Sequence, residues 1–178
     1  MPETRGLTNP AAPRFMLVEA LRNILVPEIK QLGFERHKLP LVLGGHCSTR
    51  LEPFGQFKRP RGDATDLAAV RIDRRRPDTF DIVFGTVPPG PISNKWGPDI
   101  AHDDVWVEWL PTYYYILPSG KSLRRFRVRK WPWCPPASQV DYDDLARQVV
   151  AFLPEMEAAF ATGKAGKHVR FVDCRDRS

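Results

Sequence analysis

Cysteine is scarce in this chain of 178 residues, and the three present, Cys47, Cys134 and Cys174, are widely separated with no Cys-x-x-Cys spacing. That pattern argues against a disulfide framework and against a zinc ribbon, and it suits a reducing cytoplasm. There is no uncharged apolar run of 18 residues; the most apolar region, Val105 to Leu117, is interrupted by Glu108 and Pro111, so no membrane span is expected. The first residues carry Pro2, Pro10 and Pro13 and no apolar stretch of signal length, so export is not expected either. There is no internal repeat.

Catalytic and phosphate-binding motifs are missing as well. Gly120-Lys121-Ser122 imitates the end of a phosphate-binding loop, but the first glycine of that motif would fall at Tyr115 and no helix follows. Near Gly163 to Lys167 the match fails at His168, where Ser or Thr is required. No Gly-x-Ser-x-Gly elbow occurs, and Glu108 is followed by Trp109 and Leu110 rather than by the Glu-x-Lys of a metal-dependent nuclease. The residues therefore indicate no cofactor and no metal.

What the chain does have is a soluble, globular composition: 42% hydrophobic, 27% charged and 11% aromatic, with 27 basic against 21 acidic residues for a net charge of +6. This length fits one domain with a proper core. Residues 1–13 read as a disordered arm, 14–162 as a single domain, and 163–178 as a basic tail in which Val169, Phe171 and Val172 form a short edge strand.

Periodicity supplies the elements. Leu17, Leu21, Ile24, Leu25, Ile29 and Leu32 mark one face of a helix that ends at Gly33 and is kinked at Pro27. Residues Arg50 to Thr65, rich in Gly, Pro and charge, read as a long loop. Then Ala68, Val70 and Ile72, followed by Phe80, Ile82 and Phe84, alternate as a hairpin with one buried face. Val105 to Trp109, Tyr113 to Leu117 and Ser122 to Trp131 read as further strands. Tyr142, Leu145, Val149, Phe152, Met156 and Phe160 trace a late helix with a kink at Pro154, opened by Asp141, Asp143 and Asp144 where its dipole favours negative charge. The expected fold is α+β: an antiparallel meander sheet with two main helices packed on one face.

Two groups of residues carry candidate binding chemistry. Arg125, Arg127 and Arg129 fall on one face of a strand at about 6.5 to 7 Å spacing, a ladder able to grip phosphates or carboxylates unless Asp81 or Glu108 neutralises it. With Arg74, Arg75 and Arg76 nearby, and Trp131 and Trp133 flanking, it would resemble a single-strand nucleic-acid surface. The second group is the run Asp99 to Asp104, where His102, Asp103 and Asp104, with Trp106 beyond, would line a ligand pocket; the plain alternative is a solvated turn. The aromatic cluster Trp106, Trp109, Tyr113, Tyr114 and Tyr115 would make a partner-binding patch wherever it is exposed.

The stretch ALRNILVPEIKQLGF at 20–34, the strand pair LAAVRIDRRRPDTFDIVFG at 67–85 and the late helix ending LARQVVAFLPEMEAAF together resemble an uncharacterised bacterial α+β domain family, in which a first helix ends in a Leu-Gly-Phe turn before an antiparallel sheet. That resemblance brings no catalytic residues. Some similar small domains are encoded among toxin and immunity genes, which implies a binding protein that recognises or neutralises a protein partner. The basic charge departs from inhibitors of nuclease toxins, which tend to be acidic because they compete with nucleic acid for a basic site. The function expected is thus a non-enzymatic binding protein acting through an exposed sheet face and loops, with nucleic-acid association and a pocket enzyme as the other readings.

Overall fold

A computed structural model of the chain describes residues 12–37, 53–73, 75–90, 92, 100–120, 124–128 and 133–174. Seven strands form one sheet in which every pairing is antiparallel. In chain order they are β1 Glu35–His37, β2 Gln56–Arg61, β3 Ala64–Ile72, β4 Thr79–Val87, β5 Thr112–Ile116, β6 Phe126–Arg127 and β7 Val169–Asp173. The sheet runs β1-β2-β3-β4-β5-β7, with β6 pairing β4 beyond the end of β5. The α+β class read from the sequence is the fold of this protein.

Helix α1 (Ala12–Ala20) runs through a π-helical turn, Leu21–Leu25, into α2 (Val26–Gln31). Pro27 has no amide to return to the carbonyl four residues earlier. The wider turn just before it absorbs the mismatch, with the Val26 amide bonding the Leu21 carbonyl. The late helical stripe is likewise two helices, α3 (Gln139–Val150) and α4 (Leu153–Thr162), separated at Ala151–Phe152 ahead of Pro154. Ser138 and Asp141 form a capping box at the start of α3. Gly163, at φ 71°, closes α4 in the left-handed conformation that a side chain disfavours.

All of these helices pack on one face of the sheet. Leu17, Leu21, Leu25 and Ile29 meet Tyr142, Ala146, Val149 and Met156, and together they cover Ala68, Val70, Phe80, Ile82 and Phe84.

Three expectations are corrected. The hairpin β3–β4 is buried on both faces, not one. Its second face, with Leu67, Ala69 and Val83, lies under Ile92, Ile100, Val105, Trp106, Val107 and Leu110. The segment read as a strand from Val105 instead forms 3-10 turns at His102–Asp104 and Val107–Trp109, and its apolar side chains serve as a lid on the sheet. Buried Gln56 fastens that lid, donating to the Val105 carbonyl at 2.9 Å and accepting from the Val107 amide at 2.8 Å.

The third correction concerns the region read as a long loop, which contains β2. Its charge is deceptive because Arg59 turns inward and the more exposed Arg61 bends back to the same buried carboxylate. Asp66, with no exposed surface, takes Arg59 at 2.9 Å, Arg61 at 3.1 Å and the Thr86 hydroxyl at 2.9 Å. Arg59 also bonds Glu157 and the Leu32 carbonyl and lies over the Phe34 ring at 4.4 Å, while Arg61 reaches the Phe160 carbonyl. Pro60 is tolerated because β1 reaches β2 only from Gln56 to Lys58, so no ladder needs its missing amide.

The lead-in to β7 is held from α4. Glu155 accepts from the His168 amide at 2.8 Å and sits 2.6 Å from His168 Nδ1, and that imidazole stacks on Phe152 at 3.9 Å.

Two outcomes follow from these contacts. Asp66→Ala removes the buried acceptor shared by part-buried Arg59 and the more exposed Arg61 and should cost about 2–3 kcal/mol in urea unfolding, more than Glu157→Gln. For Glu155, burial raises the carboxyl but the His168 amide and ring outweigh it and hold the group below its ordinary value. The stability it adds is present above that ordinary range and is lost as pH falls through the depressed value. Glu155→Gln should therefore lower stability at neutral pH and flatten the decline in stability below about pH 5, measured by unfolding midpoints across pH.

Candidate anion-binding cleft

The second face of the sheet is only partly lidded. Beyond the lid, the ends of β3, β4, β5 and β7 and residue Arg125 enclose a cleft of about 480 Å³. Register builds it. Arg71 stands opposite Asp81 across β3–β4, Tyr115 opposite Val83 across β4–β5, and Arg170 opposite Tyr115 across β5–β7. Alternation puts Arg71, Asp81, Tyr113, Tyr115, Arg170 and Val172 on this face.

Asp81, 1% exposed, is the anchor. It accepts from Arg71 Nε at 2.7 Å on Oδ1 and from Nη2 at 2.9 Å on Oδ2 in a two-point fork, and Arg125 Nε lies 2.8 Å from that same Oδ2. Arg71 also bonds Glu108 and lies over the Tyr115 ring at 5.0 Å. Burial disfavours the Arg71 cation, but Asp81 and Glu108 outweigh it and raise its affinity for the proton, so it stays charged at any working pH. Arg125 in addition bonds Asp73 at 2.6 Å. The Asp73 carboxyl is raised by desolvation, yet the amides of Arg75 and Arg76 and the charge of Arg125 pull it below its usual range.

Arg170 differs from these. It is half-buried in the cleft and forms no ion pair with a described residue. Beside it, burial and bonds to Tyr115 and Cys174 push the Tyr113 phenol well above its ordinary value, so it keeps its proton near neutrality. A concave surface holding Arg170, which has no ion pair among the described residues, two more guanidiniums fixed by a buried carboxylate, and the Tyr113 phenol is suited to accept an anionic oxygen group, with Asp173 also in its lining.

The residues singled out from sequence fall unevenly around this cleft. Arg125 lines it; Arg127 does not, and bonds Asp78 at 2.8 Å. Asp81 and Asp73 take Arg125 and Asp78 takes Arg127, so both described members of the ladder bond carboxylates, while Glu108 takes Arg71 instead. Arg75 and Arg76 are exposed in the β3–β4 turn, and Trp133 is exposed. Arg74, Arg129 and Trp131 lie outside the described residues, as does Asp99.

His102, Asp103, Asp104 and Trp106 belong to the lid and do not line the cleft. Asp103 approaches Lys58 at 3.6 Å, and Trp106 is buried in the second core. Among the described residues no group of three His, Cys, Asp or Glu could hold a metal ion. Of the other aromatics, Tyr113 is buried and Trp109, Tyr114 and Tyr115 are packed against the two cores, so they form no broad exposed patch.

Sequence reading missed Arg71, Arg170, Tyr113 and Tyr115 as one site. The available signal was an Arg and an Asp at mirrored positions of the hairpin, Arg71 and Asp81, inside otherwise apolar strands. Comparison with family models, with curated proteins and with solved structures finds no match. No helix among the described residues is long and apolar enough to cross a membrane.

Asp81→Asn keeps the shape but removes the charge between two guanidiniums. It should cost about 3–5 kcal/mol in chemical unfolding. Replacing Glu108, whose side chain is 19% exposed, by Gln should cost clearly less.

Proposed function

We propose that this chain is a non-enzymatic binding protein that captures an acidic group of a protein partner in the cleft on the second face of its sheet. The observation that carries this reading is Arg170: a half-buried cation without an ion-pair partner among the described residues, placed beside guanidiniums that a buried aspartate already holds in position. Preorganised donors lose little freedom on binding, so a modest cleft can still be selective. The ionisable groups are arranged for recognition. Arg71 stays protonated and the Tyr113 phenol keeps its proton near neutrality, so both can offer hydrogen bonds to an anionic group.

The resemblance to bacterial domains encoded among toxin and immunity genes extends this reading to an immunity-like role, in which the partner is an effector protein bearing an acidic patch. A basic chain complements such a partner and speeds the encounter. The free thiols of Cys134 and Cys174 fit a cytoplasmic setting. The nucleic-acid reading has less behind it, because Arg125 and Arg127 already bond carboxylates, and of the basic residues it invoked only Arg75 and Arg76 are exposed without such a bond among the described residues.

Succinate titrated by calorimetry and arginine side-chain NMR should bind weakly, perturb the Arg170 Nε signal and lose its effect in Arg170→Gln. Its affinity should fall as salt rises. A labelled oligonucleotide bound tightly at about 50 mM salt and released at about 200 mM, with succinate silent, would favour nucleic acid instead.

A further inference from the structure

We infer that the partner enters as an extended segment with alternating acidic and apolar residues, which pairs with the free edge of β7. This rests on the cleft reading above and specifies what fills the cleft and how it is aligned.

Three independent observations converge on that strand. First, β7 ends the sheet: β5 pairs one side of it, and no strand among the described residues pairs the other. The Leu117 amide bonds the His168 carbonyl and the Cys174 amide bonds the Pro111 carbonyl, which fixes the phase of the β5–β7 ladder. In an antiparallel ladder the bonded pairs alternate. Residues 168, 170, 172 and 174 therefore face β5, and the backbone amide and carbonyl of Phe171 face outward. The Val169 amide turns back to the Gly166 carbonyl, so the outward donor available in mid-strand is that of Phe171.

Second, the side chains beside that edge differ in kind between the two faces. Arg170 projects into the cleft without an ion pair to a described residue. Phe171, its neighbour on the opposite face, is 46% exposed, with its ring against Tyr114 at 5.2 Å. A strand laid alongside at about 4.8 Å spacing would place one side chain beside Arg170 and the next beside Phe171. The first should be a carboxylate and the second apolar.

Third, an open edge carrying a large apolar side chain invites uncontrolled pairing. The lead-in to β7 is basic, with exposed Lys164 and Lys167, and Arg170 lies within the strand, while Asp173 closes it at the far end. Positive charge over the leading end and middle of this edge favours an acidic strand there. The added main-chain bonds give affinity while the alternating side chains give specificity.

The experiment uses the full chain and the capped peptide acetyl-Val-Asp-Val-Asp-Val-amide, with succinate, a valine–lysine peptide of the same length and a version of the acidic peptide N-methylated on alternate amides. Calorimetry gives affinities, and amide exchange follows the Phe171 backbone. The expected result is binding of the acidic peptide at least tenfold tighter than succinate, no binding of the lysine peptide, at least tenfold loss on N-methylation, and slowed exchange of the Phe171 amide. Arg170→Gln, folded by its NMR spectrum, should lose the peptide. Equal affinity for the N-methylated peptide, or for succinate, overturns strand pairing while an Arg170-dependent succinate signal keeps the cleft reading. Absence of Arg170-dependent binding by any of these probes overturns both.

Discussion

A carboxylate held between two guanidiniums inside the sheet governs this structure. The β3–β4 hairpin is covered on both faces, and β4 is its most enclosed strand, with β3 on one side and β5 and β6 end to end on the other. Asp81 is the single acidic residue in β4. Burying it ionised is tolerable only because Arg71 and Arg125 arrive from both neighbouring elements. The same bonds draw Arg125, and with it the short strand β6, onto the sheet. They also fix the floor of the cleft.

Asp66 repeats the device on the helix-covered face. It too has two arginines, Arg59 and Arg61, and these go on to α4 and to the end of α2. Two buried aspartates on opposite faces of one hairpin thus tie the sheet to a helical layer on one side and to a polar floor on the other. The net charge of +6 is consequently a poor guide to the surface. Several arginines that composition suggests are free to meet a polyanion instead bond carboxylates and carbonyls within the fold.

That internal use of charge explains what could be read from sequence and what could not. The helices were legible because their apolar residues recur at steps of three and four, and the hairpin because Ala68, Val70 and Ile72 alternate as Phe80, Ile82 and Phe84 do. β2 was not, since Lys58, Arg59, Pro60 and Arg61 have the composition of a loop, and only Asp66, close in sequence yet opposite in register, makes that run a strand. The segment from Val105 to Trp109 alternates like a strand, but its Val107 amide is taken by Gln56 and its Trp109 amide by a local turn, so it caps the sheet without joining it. Of the cleft, Arg125 was visible as a member of a basic strand. Arg170 was not, because a lone arginine in a basic tail shows nothing of its pairing with Tyr115 until β7 is placed beside β5.

The contrast between Arg125 and Arg170 is where fold and function separate. Both line one cleft and both carry the same charge, but Arg125 meets Asp81 and Asp73 while Arg170 reaches the same space from the outermost strand. A central position surrounds a guanidinium with neighbours that can neutralise it. An edge position leaves one side to whatever comes next. The cation without an ion pair among the described residues, the outward amide of Phe171 and the half-exposed ring of Phe171 all occur on β7 because, among the described residues, that strand has one neighbour instead of two. An acidic strand would supply the second neighbour, extending to the sheet's edge the charge pairing that already holds its centre.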